Sequence, residues 1–191
     1  MAWRRAVVAV VAAVAVLALA GCAEGGGTAA PAAAKPADHN ATDVMFLQMM
    51  LAHHEPVAKL LDLGARQASR PEVAALAREL AATTAEETAT ITGWLESWGE
   101  PLTSDAHPDA HAAHGGLPLL DDAELAALAA RTGADFDTAF LNMLIGHEHG
   151  AVELMRMETA GGRHPDAKAL ATRIDAALRD RIPLLLRMVA G

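Results

Sequence analysis

Residues 43–94 align without a gap on residues 137–188, so each position of the first stretch has a counterpart 94 positions later. Identities fall on Asp43 and Asp137, Phe46 and Phe140, Leu47 and Leu141, Met49 and Met143, His53 and His147, Leu60 and Leu154, and Pro71 and Pro165, and Ala75-Leu76-Ala77 recurs as Ala169-Leu170-Ala171. A duplicated unit carries a duplicated site. Met-x-x-x-His occurs in both copies, Met49 to His53 and Met143 to His147, and on a helix that spacing stacks the two side chains on one face.

The apolar pattern is helical along most of the chain: alanine and leucine dominate, and no stretch shows the alternation of β-branched or aromatic residues that a strand needs. The expected fold class is all-α. A first helix is predicted from Thr42 or Asp43, either of which can accept from the free amides of a first turn, to about Arg66. Pro71 suits the start of a second helix, Glu72 favours its positive end, and Gly99-Glu100-Pro101 stops it. The repeat copies these signals, with a third helix from about Asp135 to Gly161-Gly162 and a fourth from Pro165-Asp166. Two helical hairpins joined by a long crossover make a four-helix bundle. The expected organisation is a leader over 1–21, a tether over 22–40 and a bundle over 41–191. Within the bundle, repeat one covers 43–98, the crossover 99–134 and repeat two 135–190. The crossover holds a short helix, Asp121 to Arg131, capped by Asp121 or Asp122.

Arg4-Arg5 followed by an apolar run from Ala6 to Ala20 has the form of a secretory signal. The run is short for a membrane span. It ends in Leu19-Ala20-Gly21-Cys22, which resembles the lipobox of bacterial lipoproteins. That resemblance implies cleavage before Cys22, lipidation of the new terminal cysteine and an extracytoplasmic, membrane-anchored protein. Cys22 is the only cysteine, so the fold must hold without disulfides in an oxidising compartment. Loss of Arg4 and Arg5 with the leader takes the formal charge from −9 to −11, which argues against nucleic acid as a partner. Residues 23–38 are mostly Ala, Gly and Pro and read as a flexible tether.

Both copies weaken their first helix three residues past the aligned histidine, with Pro56 in one and Gly150 in the other. Pro56 cannot donate to the Ala52 carbonyl, so a kink or bulge is one expectation; tolerated Pro56 and close packing at Gly150 is the other.

The string Asp43-x-x-Phe46-x-x-x-Met50-Leu51-x-His53-His54-x-x-x-Ala58, its partial copy from Asp137 and an acid-containing second helix ending near Trp94-Leu95 resemble the domain-of-unknown-function 305 family. The resemblance covers about residues 40–190. It implies a ferritin-like four-helix bundle, and some members of the family are linked to copper binding and copper tolerance outside the cytoplasm. In the second copy His147 is followed by Glu148 and His149, Leu144 stands where the family has methionine, and Thr84 and Leu178 replace the usual second-helix glutamine.

Thioether and imidazole donors together suit Cu(I), and imidazole alone also suits Cu(II) or Zn²⁺. The candidate metal residues are Met49, Met50, His53 and His54 in the first copy and Met143, His147, Glu148 and His149 in the second. Copper is the expected ion, as Cu(I) first, with zinc as the other possibility. Adjacent histidines point about 100° apart on a helix, so His53 and His54 cannot both face one core point. Methionine also fills irregular core gaps, and that reading fits Met45, Met155, Met157 and Met188. Glu55, Glu148 and Asp43 could orient an imidazole from behind. His107, His111 and His114, with Asp105 and Asp109, form a second candidate within the crossover. His39 and His164 read as surface residues.

An oxidative di-metal centre in a ferritin-like bundle needs Glu-x-x-His pairs. Three residues before His53, His54, His147 and His149 stand Met50, Leu51, Leu144 and Gly146, which disfavours that enzyme class. No Gly-x-Ser-x-Gly elbow, P-loop or dinucleotide motif occurs. Copper buffering or sequestration is the expected function, against a ferritin-like oxidoreductase or a metal-free module of the cell envelope. The sequence names no protein partner.

Cys22→Ser should abolish acylation and leave an uncleaved precursor, measured by lipid labelling and intact mass. Wild-type protein found free outside the cell with an unmodified Cys22 would contradict the anchor.

Overall fold

The computed structural model describes residues 38–103 and 120–191. Five helices lie among them: α1, Ala41–Gln67; α2, Pro71–Trp98; α3, Asp122–Ala129; α4, Gly133–Gly161; and α5, Pro165–Ala190. α1 pairs with α2 and α4 with α5 as hairpins, while α1 also lies along α4. α1 and α4 are therefore the inner pair of a four-helix bundle, and the short α3 packs on both. Among the described residues no helix is long and apolar enough to cross a membrane.

The start of α1 corrects the predicted cap. Asn40 is the N-cap, its side chain accepting from the amides of Thr42 at 2.9 Å and Asp43 at 3.1 Å. Asp43 completes a capping box by accepting from the Asn40 amide at 2.6 Å. Asp43 also reaches the other hairpin, accepting from the amides of Arg163 and His164, each at 2.9 Å. The aligned Asp137 accepts from Ser69 and Arg70, the residues 94 positions before those two, with amide distances of 2.8 and 2.9 Å. α2 and α5 begin at prolines and have no side-chain cap of their own. Each is preceded by amides that a buried carboxylate of the opposite hairpin satisfies, and that negative charge also suits a helix N-terminus.

α1 continues through Pro56 and α4 through Gly150 as helix. Ala52, whose carbonyl Pro56 cannot serve, lies on the exposed face, where water can satisfy it. α2 ends where Gly99 takes a left-handed φ of 73° and the Glu100 amide turns back to the Leu95 carbonyl at 2.9 Å. α3 has Asp121 as its cap, with Glu124 completing a second capping box.

Two apolar clusters fill the bundle. One gathers Phe46, Met50, Ile91, Leu95 and Leu170; the other holds Leu60, Val73, Phe136, Phe140 and Leu144. Met155 is buried, and Met45, Met157 and Met188 are partly buried against these clusters. At Gly64 of α1 an added Cβ would sit 2.4 Å from the Phe140 ring, so the ring occupies the space of a missing side chain. The residue aligned with Gly64 is Glu158, which is fully buried. Neither carboxyl oxygen of Glu158 meets a hydrogen-bond partner of good geometry among the described residues.

Burial, together with the adjacent Asp43 carboxylate, pushes Glu158 up to about 8 against the smaller opposing charge of Lys168. Burial also pushes Asp43 up, but the amides of Asn40, His164 and Arg163, with the neighbouring Glu158 carboxyl, outweigh that and hold it below the ordinary range. Glu158 is therefore the protonated member of the pair at neutral pH. A carboxyl raised in the folded state stabilises fully below its unfolded value, and that stabilisation is lost as pH rises through the folded value. The urea midpoint of the wild type should accordingly fall as pH rises from the ordinary carboxylate range towards about 8 and level off above it, and the part of that fall above pH about 7 is clear of the unfolded histidines. Glu158→Gln should remove most of that fall, and an unchanged slope would contradict the assignment.

Candidate metal centre

The inward stripe of α1 runs through Phe46, Met50, His53, Val57 and Leu60, and that of α4 through Phe140, Leu144, His147, Ala151 and Leu154; all are buried. Spacings of three and four place each set on one helix face, and the two sets are aligned position by position in the sequence. Packing α1 on α4 therefore brings the aligned histidines together. The His53 and His147 rings stack with centroids 3.7 Å apart and planes inclined by 26°.

A cavity of about 50 Å³ adjoins this stack, walled by Met50, His53, His54 and Glu87 from the first hairpin and His147, Glu148 and Arg181 from the second. That volume exceeds what one water needs, roughly 10–15 Å³. Hydrogen bonds assign the ring tautomers on its wall. The Thr88 hydroxyl donates to the Thr84 carbonyl at 2.7 Å, so at its 3.0 Å contact with His54 Nδ1 it must accept. His54 thus carries its proton on Nδ1, and its Nε2 lone pair lies 3.4 Å from Glu87 Oε2. His53 Nε2 donates to the His147 carbonyl at 3.3 Å, which leaves a lone pair on Nδ1. That atom and both ring nitrogens of His147 are buried with no hydrogen-bond partner among the described residues.

Burial lowers all three imidazoles. It takes His54 to about 4 with help from His53, and His147 to about 3 with help from His53 and His54. For His53, burial outweighs the raising effect of the His147 carbonyl. The rings are neutral at physiological pH, so the His54–Glu87 contact is not an ion pair. Burial pushes Glu148 up against the opposing charge and hydrogen bond of Arg181, whose Nη1 donates to Oε1 at 2.7 Å. Glu87 is likewise raised by burial, with the charge of Arg181 working against it.

An unpaired buried polar group costs about 1–3 kcal/mol, so three orphaned imidazole nitrogens beside the Met50 thioether are a costly arrangement in an ion-free protein. Neutral nitrogen lone pairs and a thioether form a donor set suited to a soft cation. Among the described residues no three His, Asp or Glu side chains converge as ligands. The opposed ring faces explain this, and ligation requires the rings to turn until lone pairs converge.

The other predicted residues lie elsewhere. Met49 is buried in an apolar cluster away from the cavity. Met143 is half-buried beside an open groove with Arg131 and Asp135, and His149 is exposed. The adjacent pairs His53 with His54 and His147 with Glu148 do both reach the cavity, contrary to the expectation for His53 and His54, because the cavity wall spans more than one face of each inner helix; Met49, Met143 and His149 lie on other faces. Glu55 is exposed and pairs with Lys59 at 3.7 Å, while Asp43 serves the interhelical turn. His107, His111, His114 and Cys22 lie outside the described residues.

Glu87, Thr88 and Arg181 are functional candidates that the sequence reading passed over. The signal was present, because Glu87 aligns with Arg181 in the repeat and both are polar positions on second helices. Thr84 and Leu178, at the family's glutamine positions, also line the cavity. His39 and His164 are corrected as well: His39 stacks on Trp98 at 4.2 Å and His164 lies 4.9 Å from the same ring. Both are partly buried.

Several solved structures share this fold. A DUF305 protein from Streptomyces coelicolor matches with 24% identity over 78% of this chain and 92% of its own, at a TM-score of 0.71. A DUF305 fragment from Deinococcus radiodurans gives 23% identity over 79% and 97% of the two chains, at 0.68. CopM in its Cu(I)-bound form gives 23% identity over 76% and 93%, at 0.62. CopM structures in Cu(II)-bound and Ag-bound forms also match. No curated protein matches the sequence at a significant level. The family model described as Domain of unknown function (DUF305) matches residues 43–189, most of the chain, and the protein belongs to that family.

Proposed function

We propose that the protein binds copper as Cu(I) in the cavity between α1 and α4, and that it buffers or sequesters the ion outside the cytoplasm while held to the membrane through lipidated Cys22. The observation that carries this reading is the group of buried, unpartnered nitrogens on His53 and His147 beside Met50. The copper- and silver-bound forms of CopM, a protein of the same fold, support it. The ion is cargo, and the chain's part is to hold it. His53, His147 and Met50 supply soft donors, and His54 offers a further lone pair through its Nε2. The surrounding Val57, Leu61 and Leu80 side chains keep water from competing for these donors. The histidine-rich segment with His107, His111 and His114 has no thioether, and we assign it Cu(II) or Zn²⁺ in preference to Cu(I).

The test is anaerobic Cu(I) titration against chelators of known affinity. Replacing both His53 and His147 by Ala should weaken Cu(I) binding by at least about tenfold, roughly 1.4 kcal/mol, whereas H107A/H111A/H114A should leave it nearly unchanged. Loss of Cu(I) in the crossover variant alone, with the double helix variant binding normally, would make the stacked histidines core residues and overturn the assignment.

A further inference from the structure

The two halves of the cavity wall occupy aligned positions but carry opposite polar partners. In the first repeat His54 faces Glu87, Nε2 to Oε2 at 3.4 Å. In the second, Glu148 stands at the position of His54 and Arg181 at that of Glu87, joined at 2.7 Å. The Glu148 side chain is 7% exposed and that of Arg181 22%, so this pair is part of the cavity and not of a solvated rim. Its guanidinium meets a carboxylate oxygen that would otherwise face the cavity.

The candidate donors Met50, His53, His54 and His147 are all uncharged. The formal charges of Glu148 and Arg181 cancel, and Glu87, which faces the His54 Nε2 lone pair at 3.4 Å, adds at most one negative charge to the wall. A monovalent ion leaves the least uncompensated charge there; a divalent ion always leaves a buried positive excess, which a low-dielectric site penalises heavily. Arg181 also withdraws an oxygen donor from the cavity, and oxygen donors favour harder ions over soft ones. Arg173 lies near Glu87 as well, but it is exposed and screened by solvent.

We propose that Arg181 is a specificity-determining residue: its guanidinium is a built-in cation that neutralises Glu148 and limits the cavity to a single monovalent soft ion. Repeat one has an uncharged imidazole at the position of Glu148 and so needs no such counter-charge. The inference rests on the copper reading above, and its test separates the two.

All proteins in the test are full-length and carry H107A/H111A/H114A, so that the crossover adds no binding. The probes are Ag(I) and Zn²⁺, each measured by chelator competition, with helicity checked by circular dichroism. R181M should raise the Zn²⁺-to-Ag(I) affinity ratio by at least about tenfold. R181K should keep the parent ratio, and adding E148Q to R181M should cancel the gain. If R181M does not fold, E148Q alone decides, because it leaves Arg181 uncompensated and should weaken Ag(I) binding several-fold. An R181M ratio equal to the parent's, a gain that survives E148Q, or, with R181M unfolded, Ag(I) binding unaffected by E148Q overturns the role of Arg181 while leaving the copper reading intact. A parent protein that binds no Ag(I) and no Cu(I) overturns both.

Discussion

The arrangement depends on two buried carboxylates that each hold the other hairpin. Asp43 accepts the amides of Arg163 and His164, and Asp137 those of Ser69 and Arg70. Each carboxylate stands at the start of an inner helix and grips the turn that leads into an outer one. A charge-assisted hydrogen bond is roughly twice as strong as a neutral one, and both accepting carboxylates are buried. The two grips fix the inner helices side by side and set their register. With that register, residue 53 meets residue 147, and the cavity falls between the hairpins.

Duplication gives the framework its near-symmetry, and the substitutions between copies give it chemistry. Gly64 admits the Phe140 ring, whereas its counterpart Glu158 is a buried acid beside Asp43. His54 offers a lone pair, whereas its counterpart Glu148 is occupied by Arg181. The structural positions, Asp43 with Asp137 and Phe46 with Phe140, are the same in both copies. At the cavity wall, the differing pairs His54 with Glu148 and Glu87 with Arg181 are the ones that decide its charge.

Much of the fold was legible in the sequence because its signals are local. Pro71, Pro165 and Gly99 mark helix ends through backbone geometry alone, and the spacing of Phe46, His53 and Leu60 marks an inward face. The cap at Asn40 was missed because Thr42 and Asp43 offer the same chemistry two and three residues later, and Asp43 is committed to the opposite hairpin as well. At the site, His53, His147 and Met50 lay on readable stripes. Met49 and Met143 matched the motif in spacing but not in helix face relative to the cavity. Glu87 and Arg181 contribute from the outer helices, where the packing of each outer helix on its inner partner brings them to His54 and Glu148 at the cavity wall. The burial of His39 against Trp98 likewise depends on a contact between segments distant in sequence, and no local pattern encodes it.

Copper binding in the cavity depends on the identity of the atoms that meet the ion. Cu K-edge X-ray absorption of the full chain loaded anaerobically with one equivalent of Cu(I) measures them directly. Binding in the cavity gives a first shell of imidazole nitrogen with at least one thioether sulfur and the outer-shell scattering of imidazole rings, and in Met50→Leu the sulfur signal alone is lost. A shell of nitrogen and oxygen alone, unchanged by Met50→Leu, would contradict it.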